Sequence, residues 1–369
     1  MSQRIIAFDL MRAIMLFLLV AFHAGISFMN SELNPNLWFF KDSSTHIFFD
    51  GFLGFVHTFR HPAFFVISGY VTHQMFQKYS WKEVLSKRFK RLFIPMLITI
   101  VLMGPVVHIL FAQLKGNVEA FSLEVIYPSS KGHPYRVSTI YVWFLYYLLL
   151  FSAVHLVLER FAIGAFFKRF KLGVNWFLKT VLILTVLVMG CLMAWQENSL
   201  FGDYHLNPAW PSVGGYLVFY IFGIFLANRE DALDKIKQFG MLFVILGTVS
   251  FVAYSTQGML VLKEEGNAMR FNYILMISSG LATVFYSFGF LGLALKYYTT
   301  QNKMVSYIGK SSYFLYLIHF PILLYFLKIS VGFEWNVFIK FFFVLITTCI
   351  GSLMLNIIWL KAWRNNPPI

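Results

Sequence analysis

Long apolar runs separated by short polar stretches organise this chain. Ten of them approach or exceed the roughly 20 residues that cross the hydrocarbon core of a bilayer: 5–28, 50–76, 92–114, 138–159, 176–196, 211–228, 239–257, 270–295, 304–328 and 335–361. The runs are continuous and do not alternate apolar with polar, so each predicts a helix, not a barrel strand. The expected fold is all-α: a polytopic integral membrane helical bundle of about ten transmembrane helices. It is expected to form one domain over 1–369, with no separate soluble domain. The first run carries Asp9 and Arg12 and lacks a small-residue cleavage site, so it reads as a retained helix and not as a removable leader. Pro62 predicts an interruption in the second run. Pro208-Ala-Trp-Pro-Ser-Val-Gly-Gly marks a turn before the sixth.

Composition agrees with membrane solvent. The 369 residues are 59% hydrophobic and 12% charged, against roughly 25% charged in a soluble domain. The net charge of +14 does not point to nucleic acid, because the cations gather on one side of the expected bundle. With the first residues inside, the inner loops collect Lys78, Lys82, Lys87, Arg88, Lys90 and Arg91, then Arg160, Lys168, Arg169, Lys171 and Lys179, with further pairs later. The outer side holds Lys41, Lys115, Lys131, Arg136, Lys263 and Arg270. This bias, roughly three to one, places both termini in the cytoplasm and supports an even number of crossings. Cys191 and Cys349 fall inside separate runs and form neither a disulfide framework nor a cysteine metal motif.

Three places can carry chemistry. Asp9, Arg12 and His23 share the first helix. Eleven steps of about 100° bring Arg12 and His23 within roughly 20° of each other, about 16 Å apart along the axis. Ionisable groups in lipid are costly, so this stripe must face protein or water. A neutral imidazole suits a general base, and Arg12 suits an anion or a pair with Asp9. In the second run Asp50, His57 and His61 lie on one helical face. The i,i+4 histidines have zinc-ligand spacing, but Arg60 stands between them and Pro62 follows, so a polar cavity lining is favoured and no metal is expected. The inner stretch Lys87-Arg-Phe-Lys-Arg puts Arg88 and Arg91 three apart, a pair able to grip phosphate. A fourth, weaker feature is Tyr316 one turn before His319. Gly309-Lys-Ser only mimics a phosphate loop, because Met304 stands where the first glycine is needed.

These features together resemble the acyltransferase 3 family of integral-membrane acyltransferases. The matching stretches are Asp9-Leu-Met-Arg12 with His23, Phe64-Phe-Val-Ile-Ser-Gly-Tyr70, Arg88-Phe-Lys-Arg91, and Ser312-Tyr-Phe-Leu-Tyr-Leu-Ile-His319. Within the family, the run from His57 through Phe65 and the Trp143-Phe-Leu stretch look closest to the glucans biosynthesis protein C group, which is implicated in succinylating periplasmic glucans. His61 departs from that pattern, where a less polar residue is expected. The resemblance implies transfer of an acetyl or succinyl group from cytoplasmic acyl-CoA, a co-substrate and not a resident cofactor, to a hydroxyl of an extracytoplasmic glycan. It implies Arg88, Arg91, Lys87 and Lys90 for the acyl-CoA. His23 would be the base, with Arg12 steadying the thioester oxygen and Asp9 orienting Arg12. His57, Arg60, Trp143, Tyr316 and His319 would face the acceptor. The implied setting is the lipid of a bacterial inner membrane.

Two rival readings remain at this stage. A multi-pass transporter or flippase would also need an intramembrane Asp/Arg/His relay and basic loops. A bis-histidine haem or quinone protein would need histidines at matched depth, and His23 with His319 is one such pair.

Overall fold

A computed structural model describes residues 5–31, 38, 40–116, 141–161, 174–194, 197–198, 210–265 and 272–365. Among these residues every long element is a helix. They are α1 (Ile6–Ile26), α2 (Ile47–Lys78), α3 (Trp81–Leu114), α4 (Trp143–Arg160), α5 (Val174–Ala194), α6 (Trp210–Asn228), α7 (Glu230–Glu265), α8 (Tyr273–Tyr297), α9 (Lys303–Val331) and α10 (Val337–Asn365). Each of the ten expected spans has its helix. Eight are long and apolar enough to cross a membrane; α2 is diluted by its polar face and the apolar stretch of α6, Ser212–Ala227, is shorter. The chain is a polytopic membrane protein.

Three boundaries differ from expectation. Pro62 does not interrupt α2, which runs unbroken for 32 residues. A proline removes one backbone donor, and α1, α6 and α8 packed along α2 hold the helix through that gap. The basic stretch 82–91 is not a loop, because α3 starts at Trp81 behind a capping box in which Ser80 and Glu83 satisfy each other's backbone N–H groups. Wider π turns at Phe89–Phe93 and Thr99–Met103 interrupt α3. Finally, α7 begins at Glu230, nine residues early, where buried Ala232 and Ile236 form an apolar stripe beneath Asp231 and Lys235.

Close helix crossings set the frame. The most extensive contacts pair α7 with α8, α2 with α6, α1 with α9 and α9 with α10. At the α2–α6 crossing, a Cβ on Gly69 would fall on the carbonyl of Tyr220, and one on Gly223 would fall on the carbonyl of Val66. Backbones approach this closely only where side chains are absent. Ser68-Gly69, part of the Phe64–Tyr70 stretch, is therefore a packing device. Gly309 plays the same part for α1 and α9: a Cβ there would lie 2.7 Å from the carbonyl oxygen of Asp9. Near the start of α10 a buried ion pair joins Lys340 to Asp42, with Nζ 3.0 and 3.1 Å from the two carboxylate oxygens.

Candidate active site

These crossings leave a cavity of about 1070 Å³ walled chiefly by α1, α2, α3, α4 and α9, with further residues from α6, α7 and α8. Along α2 its wall runs from Ile47 to Val71. Twenty-four helical steps rise about 36 Å, more than the roughly 30 Å of the hydrocarbon core. One cavity thus reaches from one membrane face toward the other. It is lined by Arg12 and His23 of α1, by His57, Arg60 and His61 of α2, by Arg88, Lys90 and Arg91 of α3, by Trp143 of α4, and by Tyr316 of α9. Of the stripe read from the sequence of α1, Arg12 and His23 face this space, as do Asp50, His57 and His61.

Three expected site residues, Lys87, His319 and Asp9, do not line it. Lys87 turns its ammonium onto the ring of Tyr79, 3.0 Å from the centroid. His319 is fully buried behind His23. Asp9 is also buried, beneath the cavity floor, with a carboxylate oxygen 3.5 Å from the Arg12 guanidinium. Arg88 and Arg91 both reach the cavity, but the π turn that begins at Phe89 lies between them, so they approach it from a wider arc than one helical face. Arg88 donates a short hydrogen bond to the Thr72 hydroxyl of α2, while Lys90 and Arg91 are exposed.

The centre of the site is a chain of hydrogen bonds whose direction is fixed at one end. His319 Nδ1 lies 2.7 Å from the carbonyl oxygen of Tyr316. A carbonyl only accepts, so Nδ1 carries the proton. In the neutral ring Nε2 then holds a lone pair, and it lies 3.0 Å from Nδ1 of His23. His23 Nδ1–H therefore donates to His319, which leaves His23 Nε2 as the basic nitrogen. Trp38 stacks near His23, with ring centroids 6.2 Å apart, and Phe320 meets it edge-on at 5.0 Å. Tyr141 is a member of this shell that the sequence did not reveal. Its hydroxyl donates a short bond to the Leu317 carbonyl, and its own carbonyl accepts from Tyr316 Oη at 2.6 Å. It sits just ahead of α4, inside the run 138–159 expected to be helical, where nothing in an apolar, aromatic stretch singles it out.

Arg60 supplies the cation nearest this chain. It is buried, its guanidinium lies 4.4 Å over the ring of Phe22, and Nη2 donates to His61 Nε2 at 3.2 Å. His61 also packs edge-on against Trp143, with centroids 4.7 Å apart. The polar His61 that departs from the expected pattern is thus the acceptor that orients Arg60.

Fold and site together define a multi-pass membrane protein with a largely apolar cavity that runs through its bundle from a cluster of cations to a buried, tautomer-fixed histidine. The chain belongs to the acyltransferase 3 family, whose acyltransferase domain matches residues 5–357, and it is an acyltransferase enzyme. Among curated proteins it is similar to glucans biosynthesis protein C of Escherichia coli strain SMS-3-5, at 24% identity over 351 residues, covering 88% of this chain and 83% of that protein. The proteins of that name from strains O1:K1 and K12 are equally similar, at 24% identity over the same coverage. No solved structure matches the chain.

Proposed function

We propose that the enzyme takes an acetyl or succinyl group from acyl-CoA on the cytoplasmic side of a bacterial inner membrane and places it on a hydroxyl of an extracytoplasmic glycan. A periplasmic glucan acceptor is favoured by the likeness to glucans biosynthesis protein C. The supporting observation is that Arg88, Arg91 and His23 line a single cavity. Two guanidiniums and Lys90 suit the phosphates of a nucleotide carrier. The thioester at the end of the carrier's flexible arm then reaches toward His23.

At that point the acceptor O–H gives its proton to His23 Nε2 while its oxygen forms a bond to the thioester carbon. The C–S bond breaks, and the thiolate leaves with the proton carried by His23. His319 keeps the Nε2 lone pair of His23 available by accepting from Nδ1. Arg12 stands about 16 Å from His23 along α1, too far to share one carbonyl with it. The role of steadying the thioester oxygen therefore passes to Arg60, and Arg12, held by Asp9, lines the donor's route. His57, Trp143 and Tyr316 are left for the acceptor.

The test is transfer of label. Purified protein in vesicles receives acyl-CoA labelled in the acyl group on one side and glucan on the other. Labelled glucan that disappears with His23→Ala supports the proposal. Movement of either compound across the membrane with no labelled product overturns it in favour of a transporter.

A further inference from the structure

Behind Arg88, outside the cavity, lies a second cluster that the acyl-transfer reading does not use. His73 of α2 and His155 of α4 are fully buried, and Glu159, one turn beyond His155, is part-exposed. Three donor atoms converge there. Glu159 Oε1 lies 2.9 Å from His73 Nδ1 and 3.2 Å from His155 Nε2, and those two nitrogens are 3.4 Å apart. Among the described residues this is the group able to hold an ion.

We propose that His73, His155 and Glu159 bind one divalent transition-metal ion, zinc by preference, with water in the fourth position. Bonds of 2.0–2.1 Å to a tetrahedral ion separate its ligands by about 3.3–3.4 Å. Two of the observed spacings stand at or near that value, and the third opens by about 0.4 Å to reach it. The opposed pair His23 and His319 offers no third donor and lacks such a triangle. Donor type narrows the ion further. Two imidazoles and one carboxylate suit zinc, whereas calcium and magnesium need more oxygens. One carboxylate does not neutralise a divalent ion, and Arg88 stands nearby through Thr72. Strong bonds to nitrogen, not charge alone, must hold the ion here.

The surroundings supply partners for the outer ring nitrogens. Tyr220 Oη of α6 lies 3.1 Å from His155 Nδ1, where it accepts the proton that leaves Nε2 free to ligate. His73 Nε2 faces the side-chain amides of Asn228 at 2.8 Å and Gln77 at 3.4 Å. Without metal, Asn228 donates to Nε2 and the His73 proton on Nδ1 is shared with Glu159. On uptake that proton shifts to Nε2 and an amide turns its oxygen to receive it, so His73 stays neutral and no oxidant or reductant is required. The ion would tie α2, α4 and α6 together at the end of the bundle where Thr72 receives Arg88. The part-exposed Glu159 is its way in.

The experiment uses the full chain in detergent, stripped with chelator and titrated with cobalt(II), whose visible spectrum reports four-coordination. The expected result is one equivalent bound with strong visible absorption, which zinc displaces. Tyr220→Phe removes only an outer partner and should weaken binding roughly 10-fold or more. His73→Ala and His155→Ala should abolish it. Absence of stoichiometric uptake by the wild-type chain overturns the proposal and leaves a hydrogen-bonded cluster only. Uptake that persists unchanged in folded His155→Ala overturns it as well. The wild-type titration decides the matter even where a variant fails to fold.

Discussion

His319 fixes the tautomer of His23 from behind: its Nε2 sits 3.0 Å from His23 Nδ1, and its own Nδ1 is committed to the Tyr316 carbonyl. The sequence alone made His319 an acceptor-binding residue. Its burial and hydrogen bonds support a positioning role within the proposed reaction.

That arrangement predicts unequal but coupled losses. His23→Ala should lower turnover by roughly 10²–10⁴-fold, the usual worth of a general base. His319→Ala should cost about 10-fold or more, because His23 is then free to take either tautomer. The double variant should be no slower than His23→Ala alone, since the two act as a unit. Steady-state turnover of the three variants checks this; losses that multiply would show that His319 acts independently.

The cation cluster should divide into residues that matter for the donor and one that does not. Arg88→Ala and Arg91→Ala should raise KM for the acyl donor, with a smaller effect on kcat, because each loses a phosphate contact made throughout the reaction. Thr72→Val should raise it too by releasing Arg88. Lys87→Ala should leave KM near the wild-type value, because that ammonium lies on Tyr79. Donor titrations at fixed acceptor separate these outcomes.

The α2–α6 crossing should tolerate no added atoms. Gly69→Ala and Gly223→Ala each place a methyl on a facing carbonyl, so each should destabilise the protein by about 1–3 kcal/mol through overpacking. Thermal unfolding in detergent reads this as a lower midpoint. An unchanged midpoint would mean that the helices stand further apart.

Lys340 and Asp42 should be far more sensitive to losing one partner than both. Removing either charge alone strands the other in a buried site, at a cost of about 3–5 kcal/mol, whereas an apolar pair of similar volume is close to neutral. Comparing Asp42→Ala, Lys340→Met and the double variant Asp42→Leu with Lys340→Met by thermal unfolding tests this directly.

Much of the fold was legible because lipid imposes one strict requirement, satisfied backbone, and the sequence meets it with ten apolar runs. What escaped reading was what neighbours decide. Pro62 is tolerated because three helices brace α2. The basic stretch 82–91 is helical because Ser80 and Glu83 cap it, a local signal that the run of charges masks. For the site, helical spacing correctly put Arg12 and His23 on one face of α1, since both depend only on local geometry. It could not place His319 behind His23, 296 residues away, nor bring His73 to His155. Only the i,i+4 spacing of His155 and Glu159 hinted at that cluster. It also made Arg12 the partner of His23, although Arg60 from another helix stands closer to the ring.

The bare backbones at Gly69 and Gly223 constrain how this gene can drift. Every missense change at those codons adds carbon where another main chain already stands, and no neighbouring side chain exists that could be trimmed in compensation. The two positions are therefore closed to single-step substitution, and a relative carrying a larger residue at either must have re-spaced the two helices.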